Sequence, residues 1–108
     1  YETVFPKLQQ SNIDLISLEC HNSRVPMELI ELLRGKKVMV GAIDVANNAI
    51  ETPEEVADTL RKALQFVDAD KLYPCTNCGM APLSRQIASG KLAALSAGAQ
   101  IVRNELCR

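Results

Sequence analysis

The sequence predicts an α/β fold with a parallel sheet, because short apolar segments alternate with amphipathic helical patterns. Residues 13–18 and 38–45 are short and nearly all apolar, which is typical of strands buried on both faces. Polar residues follow the strands at intervals of about 30 residues, as repeated strand–helix units require. This alternation implies right-handed crossovers and therefore parallel pairing.

The first half of the chain is expected to hold two helix–strand pairs. A helix over about residues 1–10 precedes the strand at 13–18. A second helix over about 26–34 precedes the strand at 38–45. Gly35 ends that second helix, because glycine readily adopts the left-handed conformation at a helix end.

The second half begins with a strong helix-start signal. Thr52 can cap the helix, Pro53 fits its first position, and Glu55 can complete a capping box. A weaker strand candidate follows at 71–73. Apolar stripes predict two helices, one bearing Val56, Leu60, Ala63, Leu64 and Val67 and a last one bearing Leu92, Leu95, Ala99, Val102 and Leu106.

Composition limits the classes of function. The 108 residues are 47% hydrophobic, enough for one modest domain, and no apolar run is long enough to cross a membrane. The net charge of −1, with basic and acidic residues spread along the chain, argues against nucleic-acid binding and a polybasic membrane anchor. Four cysteines among long apolar strands favour reduced thiols in the cytoplasm over a disulfide scaffold. Because the chain opens on Tyr1 without a signal segment, we expect it to be a piece of something longer.

Three polar groups are predicted at the carboxyl ends of successive strands. Glu19 ends the first strand, Asp44 ends the second, and Cys78 lies in the turn Cys75–Cys78 after the third. Catalytic and metal-binding groups of α/β proteins gather at this edge of the sheet. We therefore expect the Glu19 carboxylate and the Cys78 thiol to point into one shared cavity.

Three segments, in the same order, resemble cobalamin-independent methionine synthases. Residues 16–24 resemble the family's Ile-Ser-Ile-Glu-Thr-Ser-Arg-Ser stretch. Residues 41–45 resemble its Gly-Val-Tyr-Asp-Ile strand, and residues 77–80 resemble its Asp-Cys-Gly-Leu turn. The likeness is greatest to the short, core-type members of the family.

The resemblance implies a (βα)₈ barrel of the uroporphyrinogen-decarboxylase type. Such a barrel needs about 250 residues, so residues 1–108 would form the C-terminal portion of a single barrel domain. The family transfers a methyl group from a methylated folate to homocysteine at a zinc ion held by a His-x-Cys pair, a glutamate and a second cysteine. Glu19 matches that glutamate and Cys78 the second cysteine. Residues 1–12 contain no histidine or cysteine, so the fragment alone is expected to be inactive.

The candidate ligands also have other interpretations. Glu19 could cap the next helix or pair with Arg24. Cys75 and Cys78 form a Cys-x-x-Cys that could be a redox motif or half of a zinc site. The family has asparagine at the position of Cys75, which is therefore treated as a neighbour of the site. His21 could be a ligand, but a loop histidine is more often an exposed or hydrogen-bonding group.

The remaining cysteines are not expected in the site. Cys20 alternates to the opposite face from Glu19 and is expected to be packed, and Cys107 to be structural or exposed.

One departure from the family concerns the methyl donor. The better-known enzymes carry a histidine two residues after the strand aspartate, proposed as proton donor to the departing nitrogen, and that position is Ala46 here. Another acid, or a water held by Asp44 or Asn47, could serve instead. Two alternatives remain: a related methyltransferase that uses methylcobalamin or another donor, and a non-enzymatic zinc-binding module that self-associates through exposed strand edges.

Overall fold

The computed structural model describes residues 4–20 and 27–107. Its α-helices are α1 (Phe5–Gln9), α2 (Pro53–Ala63) and α3 (Arg85–Leu106), and its strands are β1 (Leu15–Leu18), β2 (Lys37–Ile43) and β3 (Leu72–Thr76). Short 3₁₀ helices span Met27–Leu33 and Ala69–Lys71. The predicted alternation of helices and strands is confirmed.

The three strands form one parallel sheet in the order β1-β2-β3. β2 lies in the centre, where Val40 is paired with Leu18 on one side and Pro74 on the other. Its register with β3 shifts between Gly41 and Ile43. The sheet therefore brings the ends of β1 and β3 to either side of the end of β2.

Two clusters of buried side chains form the core. One joins α1 and the first 3₁₀ helix to the sheet through Phe5, Leu18, Cys20, Ile30, Leu33, Val38, Val40 and Ala63. The other joins α2 and α3 to the end of β2 through Ala42, Ile43, Val56, Ala57, Leu60, Ala94 and Val102. No helix in the described part of the chain has the length and apolarity that spanning a bilayer requires.

Local signals set the start of α2 as predicted. The Thr52 side chain accepts a hydrogen bond from the Glu55 amide at 3.1 Å, and Pro53 is the first helical residue. Gly35 follows the 3₁₀ helix with a φ of 85°, although the segment before it is a 3₁₀ helix instead of an α-helix.

Two strand boundaries differ from the prediction. β2 ends at Ile43 and not at residue 45, because the Asp44 side chain bonds the backbone of Ala46 and turns the chain. β3 continues through Cys75 to Thr76. Cys75 therefore lies within the strand, and the turn that presents Cys78 begins after Thr76.

The buried face of α3 also differs from the predicted stripe. Leu92 and Leu106 are 50% and 54% exposed, and the buried residues are Lys91, Ala94, Gly98 and Val102. A β-carbon on Gly98 would lie 2.5 Å from the β-carbon of Val56. Small residues thus let α3 approach α2 closely, which an apolar pattern alone does not reveal.

Candidate functional site

The carboxyl edge of the sheet carries the three predicted polar residues. Glu19 directly follows β1, Asp44 directly follows β2, and Cys78 lies two residues beyond β3. Glu19 is half-buried, Asp44 is buried and Cys78 is exposed. Neighbouring strands are about 4.8 Å apart, so the ends of β1 and β3 are separated by roughly 10 Å, a gap that two side chains with a metal between them can bridge.

Gly41 leaves space on β2 that the Asn77 side chain fills. A β-carbon at this position would lie 2.1 Å from Asn77 Oδ1 and 3.0 Å from the Leu18 carbonyl oxygen. The side chain of Asn77 therefore occupies the place that a larger residue at position 41 would need.

The turn that presents Cys78 is fixed by backbone contacts. The Asn77 amide donates to the Ile43 carbonyl at 2.9 Å, and the Thr76 hydroxyl donates to the Cys78 carbonyl at 2.8 Å. The side-chain amide of Asn77 is buried and has no hydrogen-bond partner among the described residues. A buried polar group of this kind normally bonds to something, so its partner is expected to come from a ligand or from chain outside the described residues.

The loop after β2 is closed by its own side chains. Asp44 Oδ1 accepts from the Ala46 amide at 2.8 Å, and Asp44 Oδ2 accepts from Asn47 Nδ2 at 3.4 Å. Asn47 Oδ1 in turn accepts from the Ala49 amide at 2.8 Å. These bonds hold a carboxylate and a carboxamide together at the edge of the sheet.

A buried ion pair lies beneath this loop. Lys91 is fully buried, and its ammonium group donates to Glu51 Oε1 at 2.9 Å. Glu51 Oε2 accepts from the Asp44 amide, also at 2.9 Å. Burial by itself would raise the pKa of the Glu51 carboxyl, but the hydrogen bonds from Lys91 and Asp44 outweigh it and lower that pKa.

The cysteines differ in their surroundings. Burial, helped by the proximity of Cys75, raises the pKa of the Cys20 thiol to about 11. Burial also raises the pKa of Cys75, against the opposing effect of a hydrogen bond with Ser17. All four cysteines are free, and Cys78 and Cys107 are exposed. The packed Cys20 and the solvent-facing Cys107 are thus confirmed, whereas His21 and Arg24 lie outside the described residues.

The described residues do not by themselves form a metal site. Among them, no three histidine, cysteine, aspartate or glutamate side chains gather closely enough to hold an ion. A thiolate sulfur and a carboxylate oxygen are both groups that zinc accepts as ligands. The donor types of Glu19 and Cys78 are therefore compatible with zinc, and further donors would be needed to complete a site.

Sequence reasoning missed three residues of this region: Glu51, Asn77 and Lys91. One signal for the burial of Lys91 was available in the sequence. Lys91 lies one helical turn before Ala94 and Leu95, on a helix face whose other residues are small and apolar. Glu51 carries no comparable signal, since its role depends on contacts with Asp44 and with the distant Lys91. Asn77 lies in the turn 77–80 that the sequence singled out, but the burial of its side chain against Gly41 could not be predicted from that turn alone.

Known proteins resemble the chain in sequence and structure. The model of the family described as "Cobalamin-independent synthase, Catalytic domain" matches residues 1–100. A methionine synthase of Saccharolobus islandicus is 39% identical over 111 residues, covering 100% of this chain and 33% of that protein. One of Thermococcus kodakarensis is 37% identical over 82 residues, covering 76% of this chain and 24% of that protein.

A solved structure gives the same result. The B12-independent methionine synthase from Shewanella sp. W3-18-1, in complex with selenomethionine, is 81% identical with a TM-score of 0.96, over 99% of this chain and 31% of that one. The chain thus spans about a third of the length of these relatives. The predicted fold class, βα units of this barrel enzyme, is confirmed. The chain belongs to the catalytic-domain family of cobalamin-independent methionine synthases.

Proposed function

We propose that the whole protein transfers a methyl group to the thiolate of homocysteine and forms methionine. Residues 1–108 would be the C-terminal portion of a single barrel domain, and Glu19 and Cys78 would be two of its zinc ligands. The observation that carries the proposal is a carboxylate and an exposed thiol that follow the two strands flanking β2, in a chain of this family.

The substrate class is supported by the Shewanella relative. That protein is described in complex with selenomethionine, the selenium analogue of the product methionine. This chain is 81% identical to the matching third of that protein. A sulfur amino acid is therefore the substrate class proposed for the whole protein.

The chemistry explains why a thiol and a carboxylate would be needed. A free thiol has a pKa of about 8.5 and is mostly protonated at neutral pH, whereas a zinc-bound thiol is deprotonated. Cys78, in the turn after β3, and Glu19, at the end of β1, would hold the ion from the ends of the two strands that flank β2. The other ligands would lie outside positions 1–12, which lack histidine and cysteine.

The methyl donor is proposed to be a methylated folate, whose departing nitrogen must gain a proton. Ala46 cannot transfer one. Asp44 and Asn47 form the polar cluster nearest that position in sequence, and a water bound to them is the proposed proton source. In this proposal Asp44 and Asn47 hold the water that supplies the proton, and neither residue forms a covalent bond with a substrate.

The metal assignment is tested in the whole protein with two serine substitutions. Cys78→Ser should lower zinc content and methyl transfer together, because it removes a ligand. Cys75→Ser is the matched control, three residues away within β3, and should change neither. Equal loss of zinc in both variants would contradict the assignment and indicate a Cys-x-x-Cys site.

Alkylation offers a second test that does not depend on activity. Cys78 and Cys107 are both exposed, so both should react with iodoacetamide in the zinc-free protein. Zinc should protect Cys78 and leave Cys107 reactive, and equal reactivity with and without zinc would exclude Cys78 as a ligand.

Free cysteines also support the proposed location in the reducing cytoplasm.

The donor is tested by competition. Methyl transfer from a methylated folate should proceed without cobalamin and should not be inhibited by methylcobalamin. A preference for methylcobalamin would retain the zinc site and replace the proposed donor.

A further inference from the structure

The backbone of Asp44 is held on both sides by the buried ion pair. Its amide donates to Glu51 Oε2 at 2.9 Å, and its carbonyl accepts from Lys91 Nζ at 2.8 Å. Both peptide groups flanking the Asp44 α-carbon are therefore fixed. The direction in which the carboxylate leaves the backbone is fixed with them.

Lys91 also closes the loop that follows. Its ammonium group has three protons and meets three acceptors: the Asp44 carbonyl, the Ala49 carbonyl at 2.6 Å, and Glu51 Oε1. A buried ammonium whose protons are all bonded keeps a single position. Because Lys91 lies on α3, its hydrogen bonds anchor the loop from 44 to 51 to this long helix as well as to β2.

This arrangement exceeds what holding the helices together would need. The α2–α3 interface already has an apolar cluster around Val56 and Val102. A buried ion pair is weak support for stability, since apolar residues of similar volume often serve as well. Its bonds instead converge on the loop that carries Asp44 and Asn47.

We propose that Lys91 and Glu51 are positioning residues for the methyl-donor side of the site. They hold the loop so that the Asp44 carboxylate and the Asn47 carboxamide stand at a fixed place on the carboxyl edge of the sheet. The catalytic half of this inference rests on the proposed methyl transfer. The structural half, that the pair fixes the loop, can be measured without activity.

The test uses the whole protein with zinc bound and two substitutions. Glu51→Gln keeps the shape of the side chain, but an amide offers one oxygen where the carboxylate accepts two separate bonds. One of the donors, Asp44 N or Lys91 Nζ, then faces an NH₂ group. Lys91→Met removes all three bonds to the ammonium. Glu54→Gln is the matched control on α2, because Glu54 is exposed and only pairs with Arg61 at 2.7 Å on the surface.

The first measurement is amide hydrogen exchange in the peptide spanning residues 44–50. Both variants should speed exchange there about tenfold or more, while the peptide spanning 53–63 exchanges as in the wild type. The second measurement is steady-state kinetics. The value of kcat/KM for the methyl donor should fall about ten- to a hundredfold, while zinc content and the KM for homocysteine stay within about twofold.

The possible outcomes separate the inference from the proposed function. Wild-type exchange in Glu51→Gln would overturn the inference, and so would faster exchange with unchanged kinetics. A parallel loss of zinc, homocysteine binding and donor turnover would also overturn it, because that result indicates a purely structural pair. If the wild-type protein transfers no methyl group from any donor, the proposed function fails, and the exchange data alone decide whether Lys91 and Glu51 fix the loop.

Discussion

Gly41→Ala is expected to weaken zinc binding by the whole protein even though residue 41 is not a ligand. The added β-carbon would lie 2.1 Å from Asn77 Oδ1, whereas ordinary contacts begin at 3.4 Å, so a displacement of at least 1.3 Å (3.4 − 2.1) is required. Rotation of the side chain alone does not relieve the clash, because the Asn77 α-carbon and the Leu18 carbonyl are 3.1 and 3.0 Å away. The backbone at Asn77 or at Leu18 must therefore move as well, by 0.3–0.4 Å (3.4 − 3.1 and 3.4 − 3.0).

The size of that shift sets the expected effect. Zinc–ligand distances are held within about 0.2 Å, so even a backbone shift of a few tenths of an ångström in the residue before a ligand exceeds the tolerance of the site. Disturbing the residues that orient a ligand typically costs about 10–100-fold in metal affinity. We expect a loss in this range, measured by zinc titration against a competing chelator.

Gly79→Ala is the matched control. Gly79 directly follows Cys78, but a β-carbon there meets nothing within 4 Å and its φ is not positive. It should bind zinc as the wild type does, whereas Asn77→Ala should partly rescue Gly41→Ala by removing the closest contact. Wild-type affinity in Gly41→Ala would refute the reasoning, and if Cys78→Ser still loses zinc, the ligand assignment survives and only the role of Gly41 is wrong.

Three further predictions follow from the packing and charges of the chain. Gly98→Ala should lower the Tm of the whole protein by overpacking against Val56, at a cost of about 1–3 kcal/mol, whereas Gly90→Ala meets only the flexible end of Ile50 and should leave the Tm unchanged or raise it. Because the folded-state pKa of Glu51 is lowered from 4.5, its contribution to stability is present above pH 4.5 and is lost as the pH falls through the folded-state value. The Tm difference between wild type and Glu51→Gln should accordingly shrink on acidification, and a constant difference would contradict that pKa direction. The isolated 108-residue chain should show no methyl transfer and only weak zinc binding by calorimetry, and tight one-to-one binding by a monomer would implicate His21 and Cys75 as ligands.

The features that the sequence predicted are those set by local chemistry. The start of α2 follows from Thr52 and Pro53, and the parallel sheet follows from apolar segments separated by helical patterns. The strand-end positions of Glu19, Asp44 and Cys78 follow from the same alternation. Each of these depends on residues within a few positions of one another.

The features that it missed depend on contacts between distant segments. Lys91 and Glu51 are 40 residues apart, and a charged residue on a helix normally predicts an exposed face. The contact of Gly98 with Val56 turns α3 so that Leu92 is exposed, because close approach of the two helices requires the small residues to face inward. The extension of β3 through Cys75 depends on pairing with Gly41, which a weak apolar pattern at 71–73 did not indicate.

The central strand connects the two halves of the proposed site. At Gly41, β2 makes room for the Asn77 side chain and so determines where the turn bearing Cys78 lies. Three residues later, Asp44 follows the end of the same strand, and hydrogen bonds to Glu51 and Lys91 hold its backbone. The proposed metal side and the proposed donor side are thus fixed by different contacts on one strand. Gly41→Ala should therefore lower zinc affinity and leave hydrogen exchange in the 44–50 peptide as in the wild type. Lys91→Met should speed that exchange and leave zinc affinity unchanged.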